Sequence, residues 1–407
     1  MDTRQYNVWS INFFYISMAI FPLSIIMRFL FTKLGFAFIA GKSIYICYAI
    51  VYLFATVILV RFGISLKRFA SLYFIYLLYL ILYFTSDPSV KDIFSGVVMV
   101  MIYVYYLPYS VLILSRITDF TQLFSSKFIE YMNYFIIISS FIMKYVFNDQ
   151  TNYMPYSYNL LPIWILFSMN FIQKPNLLKA AVSVVMLLEG VIYGARGPLI
   201  WLAIGVLFCS LLEMIYKRVL ANLSIKIIGR FILSLGVLTG IFLFLSKTLS
   251  SISSEGSYIL SRLQQGDLGD SSGRKAMIDI AITYLKQMGG EINGVFFDRT
   301  LMPQKLYVHN LILETYLSFG WFLGTIILLS LIYFVGKTFI ISSITNKKVI
   351  IFAVSSFFLK YFLSGSMYEG ESFIIMLALV FAVYQQEKKT NSSNSQTNLN
   401  EKTLIYQ

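Results

Sequence analysis

The stretch SIYICYAIVYLFATVILV, residues 43–60, contains no charged side chain. As an α-helix it would be about 27 Å long, close to the roughly 30 Å of hydrocarbon in a bilayer. Backbone groups in lipid must pair within their own segment, and a helix achieves this. The stretch therefore predicts a transmembrane helix.

Comparable apolar runs recur along almost the whole chain. Hydrophobic residues make up 58% of the sequence and charged residues 13%, with a mean hydropathy of +0.74, more apolar surface than one soluble core would bury. We predict an all-α polytopic membrane protein with about twelve transmembrane helices. The predicted spans are 11–30, 43–60, 69–85, 93–114, 128–147, 157–172, 177–193, 198–215, 227–245, 311–335, 349–363 and 372–386.

Lysine and arginine in the short connections predict the orientation of the chain. With a cytoplasmic N-terminus, the inner connections hold fourteen of these residues and the short outer ones seven, as the positive-inside rule requires. Residues 1–389 then form the transmembrane domain, and both termini are cytoplasmic. Residues 246–306, between spans 9 and 10, form one large external loop. The polar tail 390–407 is predicted to be disordered.

Composition also excludes several classes of function. The net charge of +13 is explained by inner loops facing anionic membrane lipids, so no nucleic-acid partner is expected. One histidine and two cysteines within apolar spans cannot supply a zinc or iron site, and no cofactor is expected. The absence of Walker A, H-E-x-x-H and G-x-S-x-G motifs argues against ATP-driven transport and metalloproteolysis.

One polar group follows the seventh span. Arg196 lies between Gly194 and Gly197 in GARGPLIW, where a planar guanidinium matches phosphate oxygens. Its alternative role is that of an interface arginine reaching lipid headgroups. Glu189, near the end of the preceding span, is either a substrate-binding intramembrane acid or a partner of Arg196.

A second group lies in the external loop. Arg274 follows Ser271, Ser272 and Gly273 and opens an apolar repeat at helical spacing. This pattern predicts an amphipathic helix along the membrane surface that ends at Gly289 and Gly290. Arginine in a first turn is unfavourable for the helix dipole but suits an anion site. An ordinary solvated arginine is the alternative.

The third group contains the only histidine of the chain, His309. An imidazole takes a proton from a hydroxyl or donates to a phosphate near neutral pH, although a polar interface residue is the alternative. Asn310 is predicted to cap the next helix, with Glu314 in its first turn, and to contribute to binding. Arg299 is a further candidate binding residue, although its spacing from other residues indicates no particular role. Glu369 and Glu371 are predicted to form a solvated acidic patch.

Together, GARGPLIW, SSGRKAMIDIA (271–281) and HNLILETYLSFGWFLG (309–324) resemble motifs of the O-antigen polymerase and O-antigen ligase superfamily of membrane glycan-assembly proteins. The shared pattern is an arginine after a mid-chain span, a Gly-Arg at an amphipathic helix of the large external loop, and a His-Asn before a helix with a Gly-x-x-x-Gly ending. The motifs cover residues 185–335, and the span count extends the resemblance to the whole chain.

The resemblance implies a GT-C-like fold and metal-independent glycosyl transfer at the outer face of a bacterial inner membrane. The donor would be a glycan on polyprenyl pyrophosphate, and a partner protein would regulate chain length. Arg196 and Arg274 would hold the departing pyrophosphate, and His309 would orient or deprotonate the acceptor hydroxyl. These three are the predicted catalytic residues.

Three functions remain open on this basis. We favour a polymerase of lipid-linked repeat units over a ligase, because ligases commonly carry further histidines before the His-Asn and RTLMPQKLYVHN has none. A flippase or secondary transporter of lipid-linked oligosaccharide is the alternative from another class. An internal repeat and midspan charge, which transporters often show, are not evident in the sequence.

Overall fold

The computed structural model describes residues 2–147, 153–193, 196–220 and 274–405. Within these ranges it does not describe the side chains of residues 97, 144–147, 153–154, 191–193, 196, 217–220, 303 and 393–405. The described chain is all-α and contains no strand. The longer helices are α1 Thr3–Met18, α2 Ile20–Lys33, α3 Ser43–Phe62, α4 Leu66–Thr85, α5 Lys127–Phe147, α6 Tyr153–Gln173, α7 Leu177–Tyr193, α8 Arg196–Leu220, α9 Arg274–Met288, α10 Leu311–Ile341, α11 Ile344–Ala353 and α12 Glu371–Ile405.

Shorter helical segments connect the long ones. The region after α4 contains a series of them, interrupted by one π-helical turn. These segments are Ala37–Ala40, Pro88–Val90, Lys91–Phe94, Val97–Met101, Ile102–Tyr106 (π), Leu107–Leu112, Leu114–Arg116, Thr121–Ser125, Asp298–Leu301, Pro303–Lys305, Val354–Phe358 (π) and Leu359–Phe362.

Several long apolar helices indicate a multi-pass membrane protein. Among the described residues, five helical stretches are long and apolar enough to cross a membrane, or six if one bent pair counts as a span. They are Ser43–Phe62, Leu66–Thr85, Val98–Arg116, Gly197–Tyr216 and Leu311–Ile341. The predicted spans within α5, α6 and α7 also fall on helices, but α7 has only 17 residues. The predicted span 227–245 lies outside the described residues.

The first predicted span, 11–30, is not a single helix. The chain bends by 61° between α1 and α2. Pro22 lies in the first turn of α2, and its ring nitrogen has no proton to donate to the preceding turn, so the helix cannot continue straight through this point. The region predicted as 349–363 also changes form, from α11 to a π turn and then a 3₁₀ turn.

The C-terminal helix is longer than the sequence predicts. The polar composition predicts disorder from residue 390, whereas α12 is described as helix to Ile405. No glycine or proline interrupts residues 371–405, and extending an existing helix costs far less than starting one.

The described residues group into two compact units. The first contains those of Met1–Phe14, Tyr52–Gln122 and Gly273–Gln407, and the second those of Tyr15–Val51 and Leu123–Ser272. In the first unit, Phe14 packs edge-to-face against Phe352 and Phe357. In the second unit, α6 packs against α8, and the core includes the fully buried Trp164.

Candidate functional site

Helix α9 confirms the predicted amphipathic helix, running from Arg274 to Met288. Its buried face consists of Met277, Ala281 and Leu285. These residues pack in one core cluster with Met302, Val308 and Leu317. Hydrophobic burial therefore fixes α9 against the segment before α10 and the first turns of α10. The predicted cap residues Ser271 and Ser272 lie outside the described residues.

A break in α10 provides the docking point for the end of α9. Gly320 has φ 68° and ψ 174°, outside the helical region, a conformation in which a Cβ would be strained. The peptide N–H of Trp321 donates to the carbonyl of Gly289 at 2.7 Å, and its indole N–H donates to the carbonyl of Leu285 at 3.2 Å. The break leaves residues 321–341 as about 31 Å of continuous helix, which matches a bilayer core.

His309 lies just before α10, with its backbone in the left-handed region at φ 56°. The next residue, Asn310, is the N-cap that the sequence predicts, and its Oδ1 accepts the backbone N–H groups of Ile312 at 3.0 Å and Leu313 at 3.2 Å. The imidazole lies beside the ring of Tyr307, with centroids 3.9 Å apart. Its Nδ1 atom is buried, and no described residue forms a hydrogen bond with it.

The electrostatics around His309 favour the neutral imidazole. Burial lowers the pKa of His309 to about 4, and the positive charges of Arg274 and Arg299 act in the same direction. Burial raises the pKa of Tyr307, and the positive charges of Arg299 and Arg274 oppose that rise. The structure thus brings Arg274 and Arg299 into electrostatic range of His309 within the first unit.

Arg299 is nearly inaccessible to solvent and is surrounded by carboxylates and an aromatic ring. Its side chain is 2% exposed, with one guanidinium nitrogen 3.1 Å from Oε2 of Glu369 and the other 3.8 Å from Oδ2 of Asp298. The guanidinium carbon lies 4.6 Å from the centre of the Tyr307 ring, within cation–π distance. Arg299 therefore has internal carboxylate partners, and Glu369, which the sequence predicts to be solvated, is only partly so, because it is 30% exposed and pairs with Arg299.

Asp298 fixes the backbone that leads to His309. Its Oδ2 accepts the backbone N–H of Val308 at 3.1 Å, and the residue is fully buried. Burial raises the pKa of Asp298, while Arg299 and the Val308 N–H oppose that rise. The sequence analysis missed Asp298, since a single acid beside an arginine in a loop has no periodicity. We name Arg274, Asp298, Arg299, Tyr307, His309 and Glu369 the His309 cluster.

Glu314 connects α10 to the loop that carries Glu369. It lies in the first turn of α10 as predicted and is 1% exposed. Its carboxylate accepts hydrogen bonds from the Ser366 hydroxyl and from the backbone N–H of Met367 at 2.9 Å. These bonds hold loop 363–370 against the start of α10, so that Glu369 reaches Arg299.

The remaining predicted residues belong to the second unit. Glu189 is fully buried, and the Tyr156 hydroxyl donates a hydrogen bond to its Oε1. Arg196 begins α8, but its side chain lies outside the described part of the structure. The predicted roles of Arg196 and Glu189 therefore stay predictions.

The arrangement of the His309 cluster is suited to binding an anion and moving a proton. It contains two guanidinium groups, a neutral imidazole with a free nitrogen, and carboxylates that offset part of the positive charge. Within the described ranges, no three histidine, cysteine or acidic side chains are grouped as metal ligands would be. No protein-family model, curated protein or solved structure matches this chain.

Proposed function

We propose that the protein is a membrane polymerase of lipid-linked oligosaccharide repeat units. The observation that carries this proposal is the packing of the Tyr307 ring against the Arg299 guanidinium and the His309 imidazole, with Arg274 in electrostatic range of the imidazole. Cations that offset the charge of a departing diphosphate and a group that accepts the hydroxyl proton suit glycosyl transfer from a diphosphate. The resemblance of the motifs around Arg196, Arg274 and His309 to the polymerase and ligase superfamily supports the same reaction.

In the proposed reaction, an acceptor sugar hydroxyl attacks the anomeric carbon of a glycan linked to polyprenyl pyrophosphate. The new glycosidic C–O bond forms as the bond from the anomeric carbon to the diphosphate oxygen breaks. His309 takes the hydroxyl proton on a ring nitrogen, and the diphosphate leaves with its charge offset by Arg274. The role of Arg196 in holding a pyrophosphate stays a prediction from the sequence. Asn310 orients His309 by capping α10, and Glu189 remains a predicted contributor to binding.

Binding of the substrate should also change the basicity of His309. An imidazole with a pKa of about 4 is neutral and ready to accept a proton at pH 7, but it holds that proton weakly. A bound diphosphate brings negative charge, which favours the imidazolium and raises the pKa. His309 would therefore become a stronger base when the donor occupies the site, as efficient proton transfer near neutral pH requires.

The proposal includes the finer architecture. It places about twelve spans in a GT-C-like arrangement in a bacterial inner membrane, with both termini cytoplasmic and loop 246–306 outside. The break at Gly320 supports this location, because it separates a bilayer-length helix from the shorter segment that follows His309 and Asn310. The proposed partners are the polyprenyl-linked donor, membrane lipids and a chain-length regulator protein.

Reconstitution tests the proposal. The purified protein in lipid vesicles receives labelled polyprenyl-pyrophosphate-linked repeat units, and products are separated by length. A ladder of longer lipid-linked glycans is expected of a polymerase. Transfer only to an added lipid A-core acceptor would indicate a ligase, and movement across the bilayer without new glycosidic bonds would indicate a flippase.

Adjacent residues of α9 provide a matched pair of variants. Arg274→Ala should lower the rate of chain extension by about a hundred-fold or more, the usual loss for a well-placed charge stabiliser. Lys275→Ala removes the same charge from the next, exposed position and should keep most of the rate. Equal rates for the two variants would remove Arg274 from the proposed site.

A further inference from the structure

Arg299 has two carboxylate neighbours that differ in how firmly they are held. Asp298 is fully buried and accepts the backbone N–H of Val308, so it is part of the fold. The Glu369 side chain is 30% exposed, and it lies 3.1 Å from the guanidinium. Of these two counter-ions, Glu369 is the one that solvent reaches.

The contact between Arg299 and Glu369 is close but poorly aligned. Neither terminal nitrogen of the Arg299 guanidinium makes a hydrogen bond of ordinary geometry to any described residue. A guanidinium forms its strongest pairs through two parallel N–H···O bonds. The N–H groups of Arg299 are therefore available to an acceptor whose oxygen atoms match their spacing better than those of Glu369 do.

The loop that carries Glu369 is anchored on both sides of this residue, whereas the Glu369 carboxylate is held by its ion pair with Arg299. Glu314 holds the loop at Ser366 and Met367. Gly370, which directly follows Glu369, lies so close to the Tyr361 ring that a Cβ would not fit, and this packing also holds the loop in place. No hydrogen bond to the Glu369 carboxylate is found among the described residues, apart from the ion pair with Arg299.

A buried guanidinium needs a counter-ion at all times, because an unpaired buried charge costs several kcal/mol. We propose that Glu369 is the resident counter-ion of Arg299 and that a diphosphate group displaces it on binding. This inference rests on the proposed function, since the diphosphate is the leaving group of the proposed donor. It makes Arg299 an anion-binding residue whose site is occupied by the protein's own carboxylate when no ligand is bound.

Counter-ion exchange has a measurable consequence. Because the anion must displace Glu369 from Arg299, its apparent affinity is lower than it would be at the same cations without this carboxylate. Removing the negative charge at position 369 should remove this competition. Glu371, two residues further on, serves as the matched control because it has the same charge but is not paired with Arg299.

Titration calorimetry with inorganic pyrophosphate tests the exchange on the full chain in lipid nanodiscs. Glu369→Gln should bind pyrophosphate at least about five-fold more tightly than the unchanged protein, within the usual range of coupling between sites. Glu371→Gln should leave the affinity unchanged. Glu369→Asp keeps the charge on a shorter side chain, so its affinity for pyrophosphate should lie between those of the unchanged protein and Glu369→Gln. This variant also tests the exchange if Glu369→Gln does not fold. Combining Glu369→Gln with Arg299→Met should abolish the gain.

The outcomes separate the exchange from the proposed function. Pyrophosphate binding that is equal or weaker in both Glu369→Gln and Glu369→Asp would overturn the exchange and leave the anion site standing. A gain that persists without Arg299 would also overturn it. If neither the unchanged protein nor any variant binds pyrophosphate, the anion site fails, and the exchange and the proposed function fail with it.

Discussion

The Asp298 carboxylate lies 3.1 Å from the backbone nitrogen of Val308 and accepts its hydrogen bond inside the first unit. This bond closes the loop between the short helix Asp298–Leu301 and α10. Residues within and beside this loop adopt unusual conformations, with positive φ at Phe296, Gln304, Lys305 and His309. Such conformations cost free energy and persist only where the surrounding contacts hold them.

We therefore expect Asp298→Ala to be strongly destabilising. Removing one partner of a buried charge pair lowers the free energy of unfolding by about 3–5 kcal/mol. Asp298→Asn keeps an oxygen for the Val308 N–H and should lose less. Chemical unfolding in detergent measures the effect, with the exposed Asp279→Ala on α9 as the control. Equal unfolding free energies for Asp298→Ala and Asp279→Ala would contradict the structural role of Asp298.

Gly320→Ala should loosen the docking of α9. A Cβ at Gly320 would lie 2.8 Å from the carbonyl oxygen of Glu291, and the left-handed φ alone adds about 1–3 kcal/mol of strain. Gly336→Ala is the matched control, since no atom lies within 4 Å of a Cβ there, and alanine should stabilise that helical position by up to about 1 kcal/mol. Limited proteolysis within residues 289–294 reports the docking. Equal cleavage rates for the two variants would exclude the Gly320 break as the anchor.

The single histidine makes the electrostatics of the site measurable. Its one imidazole signal, followed by nuclear magnetic resonance against pH, should give a pKa well below 6.5, because burial and two arginines disfavour the charged ring. Adding pyrophosphate should raise this pKa. A pKa at or above 6.5 in the ligand-free protein would contradict the buried, cation-facing position of His309.

The same pKa shift predicts how stability depends on pH. In the unfolded chain the pKa of the imidazole is near 6.5, whereas in the folded protein it is about 4. Between these values the unfolded chain binds more protons, so the His309 contribution to stability is full above pH 6.5 and is lost as the pH falls toward 4. His309→Gln should flatten this part of the profile. An unchanged slope in His309→Gln would assign the dependence to other groups.

Asn310→Ala tests the cap that precedes α10. The amide oxygen accepts two backbone N–H groups, and losing such a cap costs about 0.5–2 kcal/mol. Asn310→Asp keeps the acceptor and should retain stability. If Asn310→Asp is as stable as the unchanged protein but extends glycans slowly, Asn310 also contacts substrate. If both variants lose equal stability, the cap is not the reason.

The local features of this protein are predictable from its sequence. Apolar runs give the long helices, the i, i+3, i+4 spacing after Arg274 gives α9, and Asn310 is a helix cap by residue type and position. These features depend on neighbours within one or two helical turns, so the order of residues is sufficient to identify them. The cationic and imidazole residues of the candidate site are likewise visible as charges at the margins of apolar segments.

Tertiary structure alone decided how those residues are paired. Arg299 meets Glu369, and Glu314 holds Ser366 and Met367, across separations that no periodic pattern encodes. The break at Gly320 is also a tertiary effect, because its strained backbone is held by contacts with residues 289–294. Burial and ion pairing depend on which distant segments pack together, whereas hydropathy and capping depend on the adjacent sequence. The sequence therefore determined the helices and the chemical groups, and packing decided which charges face each other.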